Sequence, residues 1–157
     1  MISACESKSY LFPEGTKIQE IDSYYWGTNN VTEFKLDLSS KLLEKLNDFP
    51  TKHPGSIIYV SEDVLMKWTK FQDLEKSEKK YIEAIITEII KWNGLENNKT
   101  AKSLIYSIKA NENLYFSGHG DKRRKANNDT YNFYEYMYFL NIKSSELIEI
   151  ANRESNL

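Results

Sequence analysis

Tyr131-Asn132-Phe133-Tyr134-Glu135-Tyr136-Met137-Tyr138-Phe139-Leu140-Asn141-Ile142 contains no glycine or proline and is dominated by aromatic and aliphatic side chains, which predicts one long β-strand. Its alternate positions divide into Tyr131, Phe133, Glu135, Met137 and Phe139 on one side and Tyr134, Tyr136, Tyr138 and Leu140 on the other. Both sides are apolar enough to be covered. Alternatively, the side bearing Tyr134, Tyr136 and Tyr138 is a tyrosine-rich surface, since tyrosine offers large contact area and a hydroxyl.

Working upstream, Leu104–Lys109 and Leu114–Ser117 flank an Asn111-Glu112-Asn113 turn and read as a second hairpin of the same sheet. Residues 118–130, rich in Gly, Asn and cations, read as a long loop joining that hairpin to the 131–142 strand. Ser77 to Asn93 places Ile82, Ile85, Ile86, Ile89 and Ile90 at helical spacing, with Tyr81 and Trp92 at the edges and Gly94 as terminator. Further helices are expected from Ser39 or Ser40 to Phe49, from Ser61 through Trp68, and from Ser144 through Ala151, where Leu147, Ile148 and Ala151 suit one face. Ile57–Val60 is a short strand, and Lys17–Trp26 pairs with Glu33–Leu38 across a Thr28-Asn29-Asn30 turn. Trp26, Trp68 and Trp92 anchor packing, with Trp26 the most exposed because it ends a strand beside a turn. The expected class is α+β: an antiparallel sheet of about five to six strands, packed on one side by about four helices.

Composition bounds the function. The 157 residues carry 21 Lys and Arg against 23 Asp and Glu, a formal charge of −2, which excludes recognition of nucleic acid or anionic lipid through bulk charge. A single cysteine excludes an intramolecular disulfide and a thiolate zinc cluster. No apolar run reaches the 18 or more residues of a membrane-spanning helix. Two histidines 66 positions apart give no metal-ligand cluster, and there is no phosphate-binding glycine loop or nucleophile elbow, so no cofactor and no metal is expected.

The chain opens Met1-Ile2-Ser3-Ala4-Cys5-Glu6-Ser7-Lys8-Ser9. Ile2-Ser3-Ala4-Cys5 resembles the lipobox of bacterial lipoproteins, in which an aliphatic and two small residues precede the cysteine that is acylated. The charged and apolar segments that precede a lipobox are not in this chain, as an internal start would produce. The resemblance implies lipidation at Cys5 and a tether over residues 1–9, and with no internal repeat and no long Pro/Gly/Ser-rich linker residues 10–157 read as a single domain. Glu6 after the cysteine implies a periplasm-facing place on the outer membrane, with membrane contact only through the lipid. A cytoplasmic chain with a free thiol at Cys5 is the alternative.

Leu114-Tyr115-Phe116-Ser117-Gly118-His119-Gly120 resembles the histidine segment of the caspase and metacaspase clan, but no cysteine nucleophile follows His119. The run Lys122-Arg123-Arg124-Lys125 is the densest cationic feature, read either as a grip on an acidic partner or phosphate, or as a solvated turn that blunts aggregation. The sequence therefore favours a noncatalytic protein-binding lipoprotein of the bacterial envelope, with an immunity protein that neutralises an interbacterial toxin as its specific version. The partner-binding candidates are His119, Lys122, Arg123, Arg124, Lys125, Tyr134, Tyr136 and Tyr138. The rival readings are a small-ligand or phosphate-binding enzyme using His119 and its neighbours, and a cytoplasmic interaction protein.

Overall fold

The computed structural model describes residues 9–10, 12, 16–40, 59–61, 68–124 and 130–152. Strands β1 (Ser9–Tyr10) and β4 (Tyr59–Ser61) pair antiparallel in a small two-stranded sheet. The main sheet contains β2 (Ile18–Trp26), β3 (Asn29–Leu36), β5 (Thr69–Lys70), β6 (Leu114–Arg124), β7 (Thr130–Asn141) and β8 (Glu146–Asn152). Its order is β2-β3-β8-β7-β6-β5, antiparallel throughout. Helices α1 (Lys76–Trp92) and α2 (Lys99–Ala110) lie on one face, making the class α+β. Two α-helices among the described residues do not support an expectation of about four; the segments expected as helices at 41–49 and 62–67 lie outside those residues.

Helix α1 forms where its isoleucine periodicity predicts. Ile82, Ile86 and Ile90 are buried against the sheet, Ile85 and Ile89 flank them, and the helix closes at Gly94 in the left-handed region (φ 63°), with Leu95 N–H donating to the Ile90 carbonyl. Trp92 is 79% exposed because two residues beyond Ile90 is about 200° round a helix. Trp26 is instead 1% exposed, the reverse of the expected ranking of the tryptophans. Its strand turns at Gly27-Thr28 rather than at Thr28-Asn29-Asn30, Trp26 pairs with Asn29, and the indole is held in the helix-side core. Gly27 takes φ 65°, as the first position of such a two-residue turn requires, and its missing side chain makes room for Asn93, whose Oδ1 would lie 2.4 Å from a Cβ there.

Two segments adopt the opposite structure to the one their sequence predicts. Residues 104–109, expected as a strand, lie inside α2: Asn98 Oδ1 accepts from Ala101 N–H at 3.0 Å, and Ala101, Leu104 and Ile108 face the core while Tyr106 is 75% exposed. Residues 144–151, expected as a helix, form the end of a turn at 144–145 and then strand β8. Asn141 Oδ1 accepts from the amides of Lys143 and Ser144, Ser145 takes φ 60°, and the chain returns beside β7. As a central strand β8 buries side chains toward both faces, Leu147 on one and Ile150 on the other, so its apolar positions imitate helical spacing.

The sheet separates two cores. Beneath the helices lie Trp26, Val31, Phe71, Leu114, Phe116, Met137, Phe139 and Ile150; on the other face Phe12, Leu36, Trp68, Tyr115, Tyr138, Leu140 and Leu147 pack together, with the Phe12 and Trp68 rings 5.4 Å apart.

Candidate functional site

The sheet face opposite the helices changes from apolar to polar along one line. Leu140 pairs with Leu147, which pairs with Phe34, and Tyr115 pairs with Leu140, giving a fully apolar row. Two residues further along the strands the row reads Ser23, Thr32, Glu149, Tyr138, Ser117, each directly opposite the next across five neighbouring strands. Directly opposed residues place their side chains about 5 Å apart on one face, so this is a continuous polar strip. Ser23 Oγ and Thr32 Oγ1 are 3.4 Å apart. Tyr138 and Ser117 are 0% and 1% exposed, and neither hydroxyl makes a hydrogen bond of good geometry. Leaving such a group unpaired costs about 1–3 kcal/mol.

Glu149 is half-buried on the central strand β8. Burial, first, and then the charge of Glu20 raise its carboxyl above the ordinary glutamate value, while the facing Tyr138 hydroxyl opposes part of that rise. In return, desolvation and the Glu149 charge push the Tyr138 phenol far above the ordinary tyrosine value. The two groups thus face each other closely enough to alter each other's ionisation. Among the described residues no cation pairs with Glu149.

The three tyrosines predicted to form one stripe are divided. His119 pairs with Tyr136 and Gly120 with Tyr134, leaving Glu135 without a counterpart on β6. This bulge turns Tyr134 to the helix side, where its hydroxyl donates to Glu78 Oε1 at 3.1 Å and its ring meets Phe116 edge-on, centroids 5.7 Å apart. Burial and the Glu78 charge raise its phenol above the usual value. Tyr136 and Tyr138 stay on the other face with rings stacked at 6.4 Å and 15°. Tyr138 is core, Tyr136 is half-buried, and Tyr134 belongs to the opposite side of the sheet.

The expected 118–130 loop is mostly ladder. Gly118 through Arg124 pair with Met137 through Thr130, so His119, Lys122, Arg123 and Arg124 lie on β6 as a hairpin extension. Lys125 and Cys5 lie outside the described residues.

A second polar group ties the helix layer to the sheet: Thr100 Oγ1 donates to Glu33 Oε1 at 2.7 Å, with the Tyr24 hydroxyl beside them. Burial, aided by the Glu33 and Asp22 charges, pushes the Tyr24 phenol up to about 12 against a lowering contribution from Thr100. Among the described residues, four large hydrophobic side chains remain more than half exposed: Trp92 and Tyr106 on the helices, Ile21 (58%) and Tyr25 (62%) on the edge strand β2. That edge is guarded: Ile21 sits in a bulge, and the Asp22 carboxylate accepts from the Ser23 amide at 2.8 Å.

Sequence reasoning missed Glu149, Ser117 and Thr32. Glu149 was hidden in a segment read as helix, and a strip that crosses five strands has no signature in linear spacing. Among the described residues no group of three or more His, Cys, Asp or Glu could hold a metal ion, and no helix is long and apolar enough to cross a membrane. No family model matches the chain, and neither a curated protein nor a solved structure is significantly similar to it.

Proposed function

We propose that this protein is a noncatalytic protein-binding domain of the bacterial envelope, carried on the outer membrane by lipid at Cys5, and that its task is to neutralise a toxin delivered between bacteria. The observation that carries the binding part is the exposure of Trp92, Tyr106, Tyr25 and Ile21. These side chains contribute little to either core, and aromatic residues of this size are the typical anchors of a protein interface. The cationic run Lys122-Arg123-Arg124-Lys125 belongs to the same reading as a contact for an acidic patch on the partner, and the lipobox-like Ile2-Ser3-Ala4-Cys5 supports the address.

The test has two arms. Palmitate labelling of the product expressed from its native locus, beside Cys5→Ser, reads the address: label that depends on Cys5 supports it, and a well-expressed unlabelled product removes it. A photo-crosslinking residue placed at 92 or 106, with position 88 as an exposed control, reads the surface. A discrete adduct with a toxin domain from 92 or 106 but not 88 supports the binding part; identical patterns from all three positions remove it.

A further inference from the structure

We propose that the sheet face opposite the helices carries a receptor for one cationic group, an alkylammonium or guanidinium, held between the Glu149 carboxylate and the hydroxyls of Tyr138 and Ser117. The inference stands apart from the docking surface above, since it rests on different side chains.

Three observations lead to it. First, the Tyr138 and Ser117 hydroxyls are both more than nine-tenths buried and adjacent across β6 and β7, and neither makes a hydrogen bond of good geometry, the Tyr138 hydroxyl having only the facing Glu149 carboxylate beside it. Each has lone pairs that an N–H donor can satisfy. Second, the electrostatic environment is negative: Glu149 faces Tyr138 and feels the charge of Glu20 from β2, with no compensating cation among the described residues. An anionic ligand would add a third negative charge, and a neutral hydroxyl would leave the carboxylates uncompensated. A cation answers both the unpaired oxygens and the field. Third, the half-buried Tyr136 ring stacks on Tyr138 beside the strip and offers an aromatic wall of the kind that cations favour. Of the three side chains, only Glu149 keeps partial exposure.

The cation has two possible sources, a Lys or Arg side chain of a partner protein and a free small amine, and the experiment separates them. The full chain is titrated with methylguanidinium, n-butylammonium and an arginine-containing peptide at constant ionic strength, read by amide and side-chain NMR and by thermal shift. The expected result is saturable perturbation centred on Ser117, Tyr138 and Glu149 with a raised melting temperature. Affinity should fall about tenfold or more in Glu149→Gln and by a smaller factor in Ser117→Ala. Glu149→Gln keeps the side-chain shape and removes only the charge, so its fold is checked independently by the unchanged NMR dispersion away from the strip. Peptide binding at least tenfold tighter than methylguanidinium identifies a protein side chain as the source; tightest binding of the free amine identifies the small molecule. A response equal to that of added sodium chloride, an unchanged response in Glu149→Gln, or preferential binding of acetate at these residues would overturn the proposal.

Discussion

Replacing Gly118 by alanine tests the account of the β6–β7 bulge. Gly118 pairs with Met137, and a Cβ there would lie 2.7 Å from Phe116 Cζ and 3.0 Å from both Phe116 Cε1 and Tyr134 Cδ1. The backbone is not in the left-handed region, so alanine in itself should stabilise by roughly 0.5–1 kcal/mol through a less flexible unfolded chain. Against this stands the overlap with a ring that cannot retreat: Phe116 is 4% exposed and held edge-on to Tyr134 and 5.3 Å from the Phe139 ring. Overpacking of this kind costs about 1–3 kcal/mol. The net expectation is a loss of about 1–2 kcal/mol, or a melting temperature lower by roughly 5 °C for a chain of this size. Urea and thermal unfolding of Gly118→Ala, Phe116→Leu and the double variant measure it. Because leucine lacks the offending Cζ, the two changes should be non-additive, the double variant being about 1 kcal/mol more stable than their sum. A Gly118→Ala protein as stable as the parent, or strict additivity, would refute the packing argument.

Other predictions follow from single features. Glu149 has a folded-state carboxyl above the ordinary value of 4.5, so as pH rises past 4.5 the unfolded chain releases this proton before the folded one does and stability falls; urea melts across this range should show Glu149→Gln removing that part of the decline. Tyr24, Tyr134 and Tyr138 are all raised, Tyr24 to about 12, so their contribution is complete below pH 10 and is lost as pH climbs above it. An absorbance titration at 295 nm should leave these phenols protonated near pH 11 until the protein unfolds. Ile86→Ala, at a position with no exposure under α1, should cost about 2–5 kcal/mol in urea unfolding. Asn98→Ala removes the acceptor for the Ala101 amide and should cost about 1 kcal/mol, visible as lower helicity and a lower urea midpoint.

The cationic extension, the edge strand and the polar strip illustrate why a site is harder to read than a fold. Helix α1 was legible because five isoleucines keep one period over a long segment, and β7 because an uninterrupted aromatic run has no helical alternative of equal quality. Leu104–Lys109 failed because four apolar residues in six satisfy both periods; Asn98, some way upstream, settles it by capping the helix. Residues 144–151 failed for a related reason, since a strand buried on both faces loses its alternation. The tyrosine stripe was read with perfect alternation, and one unpaired residue, Glu135, was enough to send Tyr134 to the far side.

By itself the sequence determined the α+β class, the helix over the isoleucine repeat, the long aromatic strand and the absence of a bulk electrostatic signal, because each depends on local period or on composition. Only the tertiary structure decided which tryptophan is exposed, which tyrosines share a face, and that Ser23, Thr32, Glu149, Tyr138 and Ser117 form one line. Those relations run across strands whose partners are far apart in the chain. Cross-strand register, set by turns, bulges and the burial of both cores at once, is a property of the assembled sheet and of no single segment.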